Sequence, residues 1–158
     1  MLKRIFVVAL MGIAVTLTYS LNAAEETAKK PAAKKPAAKC PVSGKVCKKE
    51  FAVAHNGGQV FFCCPNCPKA FAANTAKFAA KANHQLVLTG QAKEVKCPIA
   101  GRKLNPKTAI DVAGVKVAFC CNNCKGKAVK AEGNAQIELI FNDKSFAKAF
   151  EVAKKEKK

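Results

Sequence analysis

The chain has no tryptophan, and its single tyrosine, Tyr19, falls within the first twenty of 158 residues. Acidic residues are also few, ten Asp and Glu against twenty-eight Lys and Arg. With carboxylates this scarce there is no paired-carboxylate constellation for acid–base chemistry, and neither a Ser-His-Asp set nor a Gly-rich phosphate loop is visible. The sequence therefore predicts a protein that is not an enzyme. No apolar run is long enough to cross a bilayer. The run from Ile5 to Leu17 is thirteen residues, short of the roughly twenty that a membrane-spanning helix needs.

That run has another reading. Lys3 and Arg4 precede it and the small residues Ala23 and Ala24 follow, the layout of a secretory signal peptide. Residues 1–24 are expected to be removed, leaving a chain without a transmembrane span in the periplasm or outside the cell. Residues 25–39 are dominated by Ala, Lys and Pro and offer nothing to bury, so they read as a solvated, disordered linker. Residues 154–158, KKEKK, form a short basic tail.

The formal net charge of +18 is inflated by these ends. Between Cys40 and Asp143 there are fifteen basic and six acidic residues, which leaves +9. A surplus of that size supports weak attraction to anionic cell-envelope surfaces. No aromatic-basic motif accompanies it, so no specific nucleic-acid partner is expected.

What the chain does have is cysteine, nine in all. Cys40, Cys63, Cys64 and Cys67 recur 57 residues later as Cys97, Cys120, Cys121 and Cys124, with CPVSGK repeated as CPIAGR and FFCCPNC as AFCCNNC. Gly57 and Val60 recur as Gly114 and Val117. Beyond the cysteines the match continues at an offset of 51, from Asn83 to Leu88 onto Asn134 to Leu139. The chain is a duplicated unit, and the second copy is six residues shorter in its helical part. The units span residues 40–94 and 95–153.

Each unit begins with a CPxxG turn. The alternating, Val- and Phe-rich stretches Gln59 to Phe62 and Val115 to Phe119 predict strands, entered through hairpin turns at Gly57-Gly58 and Gly114. A helix from Pro68 to Lys81 would place Phe71, Thr75, Phe78 and Ala82 on one face, as core. The segments LVL at 86–88 and IELIF at 137–141 read as strands joining the units. Asn142 or Asp143 is positioned to cap a last helix carrying Phe146 and Phe150. The fold class is α+β. A unit of fifty-odd residues buries too little apolar surface to be comfortably stable, so a metal or a disulfide is expected to supply the rest.

Cysteine thiolates bind zinc and other soft ions in tetrahedral arrays. Cys63 and Cys67, four apart at the start of the expected helix, can face one ion, and the positive helix N-terminus favours their thiolate form. Cysteine, PxxG, twenty-two residues, cysteine, three residues, cysteine and then a Phe-bearing helix resembles the TRASH and YHS group of treble-clef metal-binding domains. The resemblance covers residues 38–82 and 95–132. It implies Cys40, Cys63 and Cys67 as one ligand set and Cys97, Cys120 and Cys124 as the other. It also implies a place among heavy-metal sensing, trafficking and resistance proteins. The fuller family pattern carries a further cysteine three residues before the CPxxG cysteine, where this chain has Ala37 and Glu94, and the Tyr-His-Ser signature is absent.

Each site thus needs a fourth ligand. Cys64 and Cys121, present in both copies, are candidates if the chain leaves strand geometry at the double cysteine; otherwise Cys64 packs as a small hydrophobe beside Phe62. Cys47, facing Leu104 across the repeat, could complete only the first site. His55 and His84, facing Val112 and Ala135, read as surface residues. The expected cofactor is zinc, or else Cu(I) or another soft heavy metal, at two sites per chain. Two other readings stand beside this one. Export favours a disulfide-stapled scaffold, although nine cysteines leave one unpaired. The CxxC pairs could also exchange disulfides, with Cys64 and Cys121 as nucleophiles and Cys67 and Cys124 as resolving thiols.

Overall fold

The computed structural model describes residues 37–153. The signal, most of the linker and the basic tail read from the sequence lie outside the described residues. The fold is α+β, with five helices and three two-stranded antiparallel sheets among the described residues.

Each repeat opens on its CPxxG turn, and the two turns are closed in the same way. Gly44 N–H donates to Cys40 O (2.8 Å) and Gly101 N–H to Cys97 O (2.7 Å), with both glycines in the left-handed region at φ 73° and 68°. A side chain is strained there, which accounts for glycine at the last position of the motif. The segment before the first turn is part of the fold. Lys39 bridges Val46, and Cys47 N–H donates to Ala38 O.

A hairpin follows in each copy: β1 (Lys48–His55) with β2 (Gly58–Phe62), and β4 (Asn105–Val112) with β5 (Val115–Phe119). Two-residue turns at Asn56-Gly57 and Ala113-Gly114 join them, every turn residue at positive φ. That conformation matches the twist of the paired strands. Alternation along β2 and β5 buries Val60, Phe62, Val117 and Phe119 completely.

The helical parts differ from the sequence expectation. Instead of one helix from Pro68 to Lys81 there are two, α1 (Asn66–Ala73) and α2 (Thr75–Leu88). The break falls at Asn74, whose side chain accepts from Lys77 N–H, while Thr75 Oγ1 donates back to Phe71 O. Side chains of this kind compete with the helical backbone and favour a cap over a helix interior. The LVL segment is the last turn of α2, and IELIF lies in α4 (Gly133–Phe141), which follows α3 (Asn122–Lys130). Neither is a strand. Short apolar runs do not distinguish strand from buried helix, and here Ala79, Ala82 and Leu86 extend a helical face into the run.

The strands that do join the repeats are short: β3 (Ala92–Glu94) pairs antiparallel with β6 (Phe150–Val152). Between α4 and β6 lies α5 (Asp143–Ala149), capped by Asn142, whose Oδ1 accepts from Ser145 N–H. Phe146 belongs to this helix, whereas Phe150 has passed into β6. α2 packs against α4, α5, β2, β3 and β5. One apolar core results, including Phe62 and Leu86 from the first copy and Phe119, Phe141 and Phe150 from the second. The core that a single repeat lacks is supplied in part by the other repeat.

Candidate metal centres

The site in each repeat is assembled from two places in the chain. The CPxxG turn contributes its leading cysteine, and the end of the second hairpin strand contributes the cysteines that enter the following helix. The regular strands end at Phe62 and Phe119, and the chain turns into the following helix through the double cysteine, which sets Cys63 and Cys120 toward the helix cysteines Cys67 and Cys124. Cys40, Cys63 and Cys67 thereby bring their Sγ atoms within 4.8 Å of one another, and Cys97, Cys120 and Cys124 do the same. The burial is also the same in both, with the turn cysteine and the helix cysteine buried and the strand-end cysteine half-buried.

These dimensions suit a soft ion. A tetrahedron of metal–sulfur bonds of about 2.3 Å has edges of about 3.8 Å, and Cys63 Sγ stands 3.6 Å from Cys67 Sγ and Cys120 Sγ 3.7 Å from Cys124 Sγ. Cys64 Sγ lies 3.3 Å from Cys67 Sγ, and Cys121 Sγ lies 3.7 Å from Cys120 Sγ. Both fall outside the mutually close triads, and each thiol interacts with the strand-end and the helix cysteine of its own site. All nine cysteines are free thiols.

The electrostatics repeat as well. Burial acts to raise the Cys40 thiol, but hydrogen bonds from the Ser43 side chain and backbone and from the Cys63 and Val42 backbone outweigh it, leaving the pKa at about 7. Cys97 is lowered in the same manner, against burial, by the N–H groups of Ala100, Cys120 and Ile99 and by the Cys120 thiol. Cys67 and Cys124 are pushed up to about 12, by burial first and then by the neighbouring thiols. Each triad therefore ionises one thiol readily and resists gathering further negative charge. A cation removes that resistance.

Cys47 is placed differently from the triads. Its thiol donates to Phe61 O (3.0 Å) and accepts from Gln85 Nε2 (3.3 Å), and burial with the charges of Cys40 and Cys63 pushes it up to about 11. Gln85, 1% exposed, holds the hairpin by both backbone groups of one residue, accepting from Phe61 N–H and donating to Phe61 O. Glu94, three residues before Cys97, does the corresponding work in the second repeat. Its Oε2 accepts from Ala118 N–H (2.9 Å), while Oε1 is buried without a partner. Burial, opposed by that N–H, pushes Glu94 up to about 7.

His55 and His84 belong to no triad and are half-buried. His55 Nε2 donates to Asn83 Oδ1 (3.1 Å) with its ring edge-on to Phe71, and His84 Nε2 donates to Val112 O (3.2 Å) against Phe141. Burial lowers both imidazoles. Two residues with a bearing on the site carried no signal in the sequence. Ser43 Oγ lies 3.1 Å from Cys63 Sγ, but Ser43 occupies a variable place in CPxxG and its counterpart is Ala100. Gln85 sat within a segment read as leading into a strand. Among the described residues, no helix is long and apolar enough to cross a membrane. No family model, curated protein or solved structure matches the chain.

Proposed function

We propose that the chain is an exported, non-catalytic metal-binding protein that holds two soft metal ions, one per repeat, and serves metal buffering, trafficking or structural stabilisation. The observation that carries the reading is the pair of cysteine triads, alike in spacing, burial and ionisation. The two sites have the same donor set and so take the same metal. With Cys64 and Cys121 turned in as fourth thiolates the sites are tetrahedral and favour zinc. With three thiolates and an open position they favour Cu(I) or exchangeable zinc. The charged, short apolar N-terminus supports export to the periplasm or beyond.

Native mass spectrometry of the intact protein tests this directly, because it reports metal mass and stoichiometry together. Two ions per chain are expected, and fully reduced protein that binds none would end the reading. The 3.3 Å approach of Cys64 Sγ to Cys67 Sγ favours one competitor, a thiol–disulfide oxidoreductase. Turnover in an insulin-reduction assay would support that competitor, and none is expected.

A further inference from the structure

The two repeats meet through like elements, β3 of one on β6 of the other and α2 of one on α4 of the other. β3 and β6, each entering from the helical part of its own repeat, pair antiparallel with Lys93 opposite Glu151. Any groove formed by a turn of one repeat against a hairpin of the other therefore has a counterpart with the roles exchanged. One such pair of grooves lies between the CPxxG turn of one copy and the hairpin turn of the other.

The groove between the turn ending at Gly101 and the hairpin turn at Asn56-Gly57 is filled by the segment from α5 to β6. Asp143 Oδ1 accepts from Asn56 Nδ2 (3.2 Å) and from Asn83 Nδ2 (2.9 Å), and Ala149 O accepts from the N–H groups of Val95 and Lys96. Lys148 lies over Gly101, where an added Cβ would meet its Cδ at 3.0 Å, and Val152 lies 3.8 Å from the same point on Gly57. Among the described residues, the counterpart groove, between the turn ending at Gly44 and the hairpin turn at Ala113-Gly114, has no such segment, because α2 runs into β3 without an intervening helix. Nothing lies within 4 Å of the place a Cβ would take on Gly44. A cavity of about 470 Å³ occupies this position, lined among others by Lys39, Gly44, Lys81, Gly114, Asn134 and Ile137.

We propose that this open groove docks a segment of a partner protein with the chemistry of α5 and β6: a short helix carrying a carboxylate in its first turn and apolar side chains behind it. Asn134, the repeat counterpart of Asn83, lines the open groove and is exposed there, free to donate to that carboxylate. Lys39 has a basic counterpart in Lys96, whereas Lys81 stands where the second repeat has Glu132, so the open groove carries positive charge that the filled one lacks. Leu88 and Ile137 supply the apolar wall. Attraction of this kind governs encounter and register as well as affinity. The proposal stands on packing and charge and does not depend on the metal reading.

The probe is a synthetic peptide with the sequence of residues 142–153, titrated into the full isotope-labelled chain and followed by amide NMR. Saturable shifts are expected at Gly44, Gly114 and Asn134. Lys81→Glu and Asn134→Asp, both at positions reached by solvent, are each expected to weaken binding by about tenfold. A peptide with Asp143→Asn should bind correspondingly less well. Four results would overturn the proposal: absence of saturation, shifts confined to Asn56, Gly57 and Gly101 because the peptide has displaced α5, indifference to both groove variants, or sedimentation showing a homodimer whose interface covers Gly44 and Gly114.

Discussion

Cys67 and Cys124 are the residues on which the two centres depend, because each is buried, each touches another thiol of its triad, and each stays protonated up to about 12 while no cation is near. Cys67→Ser is expected to empty the first site and loosen α1 while the second stays filled, and Cys124→Ser to do the converse, as read by native mass spectrometry. Two ions in both single variants would refute the assignment. Because the ion displaces a proton from Cys67 at any pH below about 12, apparent affinity should fall as pH falls, by about tenfold per pH unit for each proton displaced. Below about 7 the fall should steepen, since Cys40 then also carries a proton in the metal-free state. A chelator competition from pH 8 to pH 5.5 measures both slopes.

Glu94 titrates with the opposite consequence for folding. Its folded pKa of about 7 lies above the ordinary 4.5, so the folded chain holds the proton more tightly than the unfolded chain does. The associated stability is fully present below about pH 4.5 and is lost as pH rises through about 7. Glu94→Gln keeps an oxygen for Ala118 N–H and removes the buried charge. It should therefore stabilise the protein at pH 8, by about 1 kcal/mol after allowance for solvent screening, and leave it little changed at pH 4. Thermal melts of the two proteins at these pH values decide it.

At the scale of elements, the junction of α1 and α2 and the contact of α2 with the first hairpin hold the first site in place. Asn74→Ala removes the cap of α2 and should cost about 1 kcal/mol in denaturant unfolding, because Lys77 N–H loses its acceptor. Gly58 is more tightly placed. A Cβ there would stand 2.7 Å from Cδ2 of the fully buried Leu86, so Gly58→Ala should destabilise by about 1–3 kcal/mol through overpacking. An unchanged denaturation midpoint for Gly58→Ala would show that α2 can yield.

At the scale of the whole molecule the repeats are interdependent. Asn83, 0% exposed, donates to Phe141 O and to Asp143 Oδ1. The first repeat alone would leave that amide without these partners. Residues 37–94 expressed alone should therefore give a poorly dispersed amide spectrum even with metal added, whereas residues 37–153 should unfold in one transition whose midpoint drops when a chelator strips the ions. A well-dispersed, metal-loaded half would show the repeats to be autonomous.

The division between what was legible along the chain and what was not follows the range of the interactions involved. The cysteine pattern, the 57-residue repeat, the CPxxG turns and both hairpins are local: they depend on a glycine at positive φ, an alternating run or a fixed spacing, all visible in a few consecutive residues. The triads were legible for the same reason, as two short motifs repeated together. What needed the tertiary structure was set by partners far away in sequence. LVL and IELIF became helix because α2 and α4 bury them against each other, and the broken helix at Asn74 let α2 extend that far. His55 and His84 were half-buried against Asn83, Phe71, Val112 and Phe141. Cys47 was tied down by a glutamine 38 residues away. The sequence alone determined which atoms could meet a metal; the packing of one repeat on the other decided which polar groups are left to face water, because burial and hydrogen bonding are properties of neighbours that no single stretch of chain contains.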